Sequence, residues 1–223
     1  MKHFVRFGLE TEPGQVMSIL YVPYGKLNSN HIDCAENVEL FIPHRDAVSE
    51  FLNYPNLNNA SRYMLDMRGV GALTPGGCQR YNWWGDPEQH SHLPESLNKL
   101  DAFGCGTFAY YNYDYHYWAC GEMLGKPYLG GRVRDILCAM KLLAANGAKH
   151  IRLVAREQGV YPAVLAALFF NDCKVSLECN ELPPSFGEIM KQEIPQIPHS
   201  SLVTGILKYF DLPELISLVN SKK

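Results

Sequence analysis

Residues 149–170, KHIRLVAREQGVYPAVLAALFF, constrain the fold more than any other part of the chain. Ile151, Leu153 and Val154 form a short apolar run of the kind that lies in the middle of a parallel sheet, covered on both faces. Gly159 permits a sharp reversal, Pro162 suits a first helical turn where its missing N–H is no loss, and Ala163, Val164, Ala167 and Leu168 supply an apolar face at helical spacing. The stretch reads as buried strand, tight turn and buried helix. Upstream, Val133, Ile136, Leu137, Met140 and Leu143 mark one face of a helix over 131–145, closed by Asn146-Gly147. Strand, helix and strand at this spacing make a right-handed crossover, so strands at 38–42, 62–67, 151–154 and 174–179 are expected in one parallel sheet. An amino-terminal hairpin, 4–9 and 16–22 around a Glu-Pro-Gly turn, should flank it. The expected class is α/β, a doubly wound and mostly parallel sheet.

Bulk properties narrow the partners. A chain of 223 residues suits a single domain, and at that length folding buries roughly 70% of the unfolded surface, so no disulfide or metal staple is required. A net charge of −3 leaves no basic footprint for nucleic acid, and no apolar run reaches membrane-spanning length. Neither nucleic acid nor membrane is an expected partner, and no cofactor is implied. Seven cysteines without a C-x-x-C pair favour reduced thiols. The first residues lack the apolar core of a signal peptide, so the chain as written is expected to be cytoplasmic, although a parent protein can be exported.

The candidate site residues come from the ends of the expected strands. A strand that turns abruptly into a helix lifts one side chain above a sheet beside backbone N–H donors, which is how hydrolases expose a nucleophile. Here the turn reads Ala155-Arg156-Glu157-Gln158-Gly159, and Glu157 stands where G-x-S-x-G has serine. Glu157 is either a nucleophile or base, or a solvated turn carboxylate paired with Arg156 or Arg152. Gln158 follows it as a binding candidate. His44, after strand 38–42, is either at an oxyanion position or a surface loop histidine. Arg68, in the DMRGVG loop, either faces a ligand in the crevice at the strand ends or ties down its own loop with Asp66. Trp83 and Trp84 belong to an irregular aromatic stretch over 74–125, suited to stacking on a sugar ring or to burying a lid or an interface. His90 and His92, with Asp86 and Glu88, have metal-ligand spacing, but nothing completes a set, so no metal is expected.

The sheet order, the DMRGVG loop, the segment YHYWACGEMLGKPYLGGRVRDILCAMKLL, the turn at Glu157 and the later GILKYFDLPELISL together resemble the α/β-hydrolase family that contains acetyl xylan esterases and related carbohydrate esterases. The resemblance runs from about Glu10 to Leu218. It implies a three-layer α/β-hydrolase sandwich and, in active relatives, cleavage of acetyl esters on plant polysaccharides by a serine, a histidine base and an orienting acid. Two departures matter. The serine position holds Glu157. After Cys179 the sequence offers a proline-rich loop and short helices near 186–191, 201–210 and 212–220, so the strands that would deliver acid and base are expected to be missing and the sheet truncated at its C-terminal end. His199 is the single histidine beyond the turn, with no strand before it. The expectation is an esterase-like domain without serine-esterase activity. The alternatives are an active hydrolase of acetylated polysaccharide, or a packing or binding module of a larger protein. Its partners would be a carbohydrate ester, a neighbouring domain or a second copy that covers the sheet edge at 174–179.

Overall fold

The computed structural model describes residues 4–28, 31–52, 61–73, 114–193 and 197–222. Its strands are β1 (Phe4–Glu12), β2 (Gln15–Pro23), β3 (Leu27–Asn28), β4 (His31–Ile32), β5 (Asn37–Ile42), β6 (Ser61–Asp66), β7 (His150–Arg156) and β8 (Lys174–Asn180). Its helices are α1 (Ala47–Leu52), α2 (Asp114–Met123), α3 (Tyr128–Ala145), α4 (Val160–Phe169), α5 (Phe186–Ile189) and α6 (Leu212–Ser221). Six strands form one sheet in the order β1-β2-β6-β5-β7-β8, and β3 and β4 form a separate short pair within what the sequence suggested was loop. β1 and β2 are an antiparallel hairpin and β2 runs antiparallel to β6, whereas β6, β5, β7 and β8 are mutually parallel. The expected parallel set is therefore present, with β5 and β7 in its interior, and the chain is an α/β protein with a mixed, mostly parallel sheet.

Alternation along the strands sorts the core into two layers. Leu40, Ile42, Leu65, Ile151 and Leu153 point to the face covered by α3, α4 and α6, where Ile136, Met140, Val164 and Leu215 meet them. Phe41, Met64 and Val154 point the other way, onto α1 through Ala47, Val48 and Phe51. Beyond α1 this second face carries charge. Glu39 stands opposite Arg62 on one neighbouring strand and Arg152 on the other, with contacts of 3.0 and 2.6 Å. Arg152 also reaches Glu178 on β8. Opposite charges in cross-strand register stabilise a sheet, and this row runs across all four parallel strands. It also leaves Arg152 no role beside Glu157.

Several boundaries differ from the sequence reading for local reasons. α3 begins at Tyr128, directly after Pro127, three residues earlier than its apolar periodicity required. The expected helix over 201–210 is two short turns, His199–Ser201 and Ile206–Lys208, because Gly205 at φ 79° breaks the path between them. α5 and α6 start at capping boxes, Ser185 with Glu188 and Asp211 with Glu214, each satisfying orphan N–H donors of a first turn. Asp211 also accepts from the N–H groups of Phe186 and Gly187 at 2.7 and 3.1 Å, so one carboxylate holds two helix starts together. β8 is the last strand in the sheet order, and its Val175, Leu177 and Cys179 pack on the core beneath α4 and α6.

Candidate functional site

β7 stays extended through Arg156, and the next residue, Glu157, adopts φ +43° before a short turn, Glu157–Gly159, leads into α4. Gly159 makes this reversal possible. A Cβ there would lie 2.6 Å from the carbonyl oxygen of Pro43 and 2.9 Å from that of Ile42, so the start of α4 sits against the end of β5. Both obstacles are backbone and cannot rotate away. Gly159→Ala is expected to cost about 1–3 kcal/mol of stability through overpacking, read as a lower midpoint in urea unfolding; an unchanged midpoint would mean that the two segments separate freely.

Glu157 stands in the left-handed region at the strand-to-helix turn that the sequence pattern suggested. A non-glycine residue held there costs on the order of 1–3 kcal/mol, and such strain concentrates at functional sites. Glu181, immediately after β8, has φ +52°, and among the described residues these two glutamates are the only non-glycine positions with positive φ. Their pairing follows from register: Arg156 stands opposite Asn180 in the parallel ladder, so the next residue of each strand falls side by side. The Glu157 N–H donates to the Glu181 carbonyl oxygen at 3.1 Å.

The backbone donors around the elbow are already engaged. The Gln158 N–H donates to Nδ1 of His44 at 3.3 Å. His44 is therefore not a surface histidine: its ring is 6% exposed, wedged between the β5–α1 loop and the elbow. The same loop directs its N–H groups at Glu50, whose carboxylate folds back from α1 to accept from His44 at 2.9 Å, Arg45 at 2.5 Å and Asp46 at 3.2 Å. A buried side-chain carboxylate thus occupies the donors of this loop, and a neutral imidazole occupies the donor of the elbow.

Burial lowers the His44 pKa from 6.5 to about 3, and Arg45, Arg156 and Arg132 push in the same direction. At neutral pH the ring is uncharged, and its Nδ1 lone pair fixes the Nε2–H tautomer. The 3.4 Å approach of Nδ1 to Glu157 Oε2 is then not an ion pair. Because the unfolded state takes up a proton below pH 6.5 while folded His44 resists until about pH 3, this residue removes stability as pH falls through that window. The slope is at most about 1.4 kcal/mol per pH unit. Glu157 works in the opposite sense: burial first, then its hydrogen bond with Glu181, raise its pKa, so its contribution is lost as pH rises. Urea unfolding from pH 7 to pH 4 should show a smaller decline for His44→Asn than for wild type; parallel declines would remove His44 as the cause.

Glu157, Gln158 and Glu181 line a cleft of about 540 Å³ whose other walls are Leu182, Pro183, Pro184, Gln192 and Ile197. It opens at the carboxyl ends of β7 and β8, where α/β sheets form ligand crevices. Arg156 binds Oε2 of Glu181 through Nε at 2.8 Å and Nη2 at 2.5 Å, and Nη2 lies 3.8 Å from Glu157 Oε1. The bond from Arg156 holds the Glu181 pKa low, while burial raises that of Glu157. Gln158 is 5% exposed, and its Oε1 accepts from the Ser201 hydroxyl at 3.1 Å.

The remaining candidates lie elsewhere. Arg68 does not reach the cleft. It is clamped by Asp135 of α3, through Nε at 2.9 Å and Nη2 at 2.7 Å, and by Glu12 of β1 at 2.5 Å. Burial opposes its charge, but the bonds from Asp135 and Glu12 outweigh burial and raise its pKa. Asp66 accepts from Tyr21 and from the N–H groups of Ala47 and Ala72, and with Gly69 and Gly71 in positive φ this fixes the DMRGVG loop. Trp83, Trp84, His90 and His92 lie outside the described residues. Ser176 contacts His150 at 2.9 Å, Ser185 caps α5, and the His199 ring packs 5.5 Å from Trp118. Among the described residues no cluster of His, Cys, Asp and Glu could hold a metal ion, and no helix is long and apolar enough to cross a membrane. Glu50 and Glu181 are the site residues that sequence reasoning missed. The signal for Glu181 was its position one residue past a strand in register with 151–156, the equivalent of Glu157. No protein-family model matches this chain, and neither a curated protein nor a solved structure does.

Proposed function

We propose that this chain is an α/β-hydrolase-like domain, a three-layer sandwich related to carbohydrate (acetyl xylan) esterases, that has no serine-esterase activity and uses its cleft for binding. Support for the scaffold comes from an antiparallel hairpin at one edge of a parallel sheet and from a strained strand-to-helix elbow. One observation carries the loss of catalysis: the donors that would receive a carbonyl oxyanion are occupied from within. In the elbow arrangement these donors are the N–H of the residue after the nucleophile and an N–H from the loop after the third strand of the main sheet. Here the first is bonded to His44 and the second set to Glu50. The elbow side chain is moreover a glutamate, whose pKa burial raises, beside Arg156 and Glu181.

A second reading, an active hydrolase of acetylated polysaccharide, is favoured by the elbow strain itself and would make Glu157 a nucleophile or base. Turnover of an acetylated aryl ester and of acetylated xylan by the purified protein, beside Glu157→Ala, decides between them. Background rates in both proteins are expected. Hydrolysis that disappears in the alanine variant would establish the active reading.

A further inference from the structure

The two edges of the sheet are built differently. β1 is interrupted by register shifts at Leu9/Glu10 and Glu10/Glu12 and carries Arg6, Glu10 and Glu12; bulges and scattered charges of this kind keep a foreign strand from pairing. β8 has no bulge and no proline, and its ladder with β7 runs in unbroken register from Lys174 to Asn180. The Lys174 N–H donates to the Lys149 carbonyl oxygen at 3.1 Å. Positions 174, 176, 178 and 180 therefore bond to β7, and positions 175, 177 and 179 turn their N–H and C=O groups outward. Among the described residues nothing meets those outward groups. Val175 and Leu177 stay half-buried on the core face, whereas Ile151 and Leu153 beside them on β7 are fully buried.

We infer that β8 pairs antiparallel with β8 of a second copy, about a two-fold axis through Ser176, so that two six-stranded sheets become one. Outward groups meet only when an odd-numbered position stands opposite an odd-numbered one, which puts the axis on a residue and not between two. The axis on Ser176 sets Val175 of each copy opposite Leu177 of the other and Lys174 of each opposite Glu178 of the other. The axis on Leu177 would set Lys174 opposite Asn180 and Glu178 opposite Ser176. Opposite charges and apolar side chains directly across an antiparallel ladder stabilise it, which favours the first. Lys174 is exposed and has no ion pair among the described residues. The Glu178 carboxylate, which takes Arg152 and the Asn180 amide, is 34% exposed and open to a second cation. α6 packs over β8 with Leu218 53% exposed, and the same axis brings a second α6 onto that face. None of these contacts involves Glu157, so the pairing stands apart from the reading of the elbow.

The test is the mass of the full chain in solution, by sedimentation velocity or light scattering over a dilution series, with two variants beside the wild type. The wild type is expected to be a dimer that dissociates on dilution. Lys174→Glu, at an exposed position, sets like charges opposite each other twice and should weaken the dimer about tenfold, with thermal unfolding still cooperative. Ser176 lies on the axis in a non-hydrogen-bonded pair, where Cα atoms stand about 4.5 Å apart, inside the range of about 4.4–6.8 Å that a disulfide spans. Mild oxidation of Ser176→Cys should therefore link two copies through position 176, identified by peptide mass so that native cysteines are not counted. A wild type monomeric at every concentration would leave the edge to a foreign strand and overturn the inference. A dimer undiminished by Lys174→Glu, or one without the 176–176 link, would place the contact elsewhere and overturn it equally.

Discussion

Asp135→Ala is expected to lower the unfolding free energy by about 3–5 kcal/mol, the largest stability loss of any single change at the positions described. Asp135 is fully buried. It accepts from the Thr11 hydroxyl at 2.6 Å, the Arg68 N–H at 3.0 Å, Arg68 Nε at 2.9 Å and Arg68 Nη2 at 2.7 Å. Those groups come from β1 and the loop after β6, so the carboxylate on α3 ties together three segments far apart in the chain. Removing the carboxylate leaves a buried guanidinium with Glu12, at a partly exposed edge, as its remaining anion, and a buried charge stripped of its partner costs more than the pair contributed. Since the whole domain is stable by roughly 5–15 kcal/mol, such a loss should be obvious in urea or thermal unfolding. The double variant Arg68→Met with Asp135→Leu removes both charges and should cost less than Asp135→Ala alone. A double variant as unstable as the sum of its parts would show that the two side chains are not coupled.

This ion pair also illustrates what the sequence could and could not disclose. The apolar run of β7, the periodicity of α3 and the glycine of the elbow are local signals, because a strand or helix buried on a known face must repeat at period 2 or 3.6. They were legible, and so was the parallel set of strands they imply. Arg68 appeared in the sequence as a residue at a strand end, where ligands bind. Its actual partners lie 56 and 67 residues away in the chain, a distance over which no local pattern operates. His44 was illegible for a related reason. Its burial depends on Gly159 leaving room for the elbow against the carbonyl oxygen of Pro43, which an added Cβ would meet at 2.6 Å, so the decisive residue is a missing side chain more than a hundred positions later. Glu50 appears in the sequence as an ordinary first-turn glutamate of a short helix. Only the path of the loop before α1 turns it into a ligand for three backbone N–H groups.

Placing a serine at the elbow by Glu157→Ser is expected to leave ester hydrolysis at background, and the reasons are separable. A serine hydroxyl attacks only when a base accepts its proton. The nearest imidazole, His44, has its Nδ1 bonded to the Gln158 N–H, and burial holds its pKa near 3, about four units below the neutral range in which a general base works best. The tetrahedral oxyanion would in addition find Gln158 N–H committed to His44 and the loop donors committed to Glu50. Loss of one such donor alone costs about 10²–10³ in rate, and loss of the triad leaves a residual rate a thousandfold or more below an intact enzyme. Adding Glu50→Ala to Glu157→Ser would release the loop N–H groups but not that of Gln158, so the double variant should remain inactive as well. An organophosphonate probe followed by intact-mass measurement reads the nucleophile independently of turnover. The wild type and both variants should stay unlabelled. Rapid labelling of Ser at position 157 would show that a base is at hand after all, and that the elbow retains working chemistry beneath the glutamate.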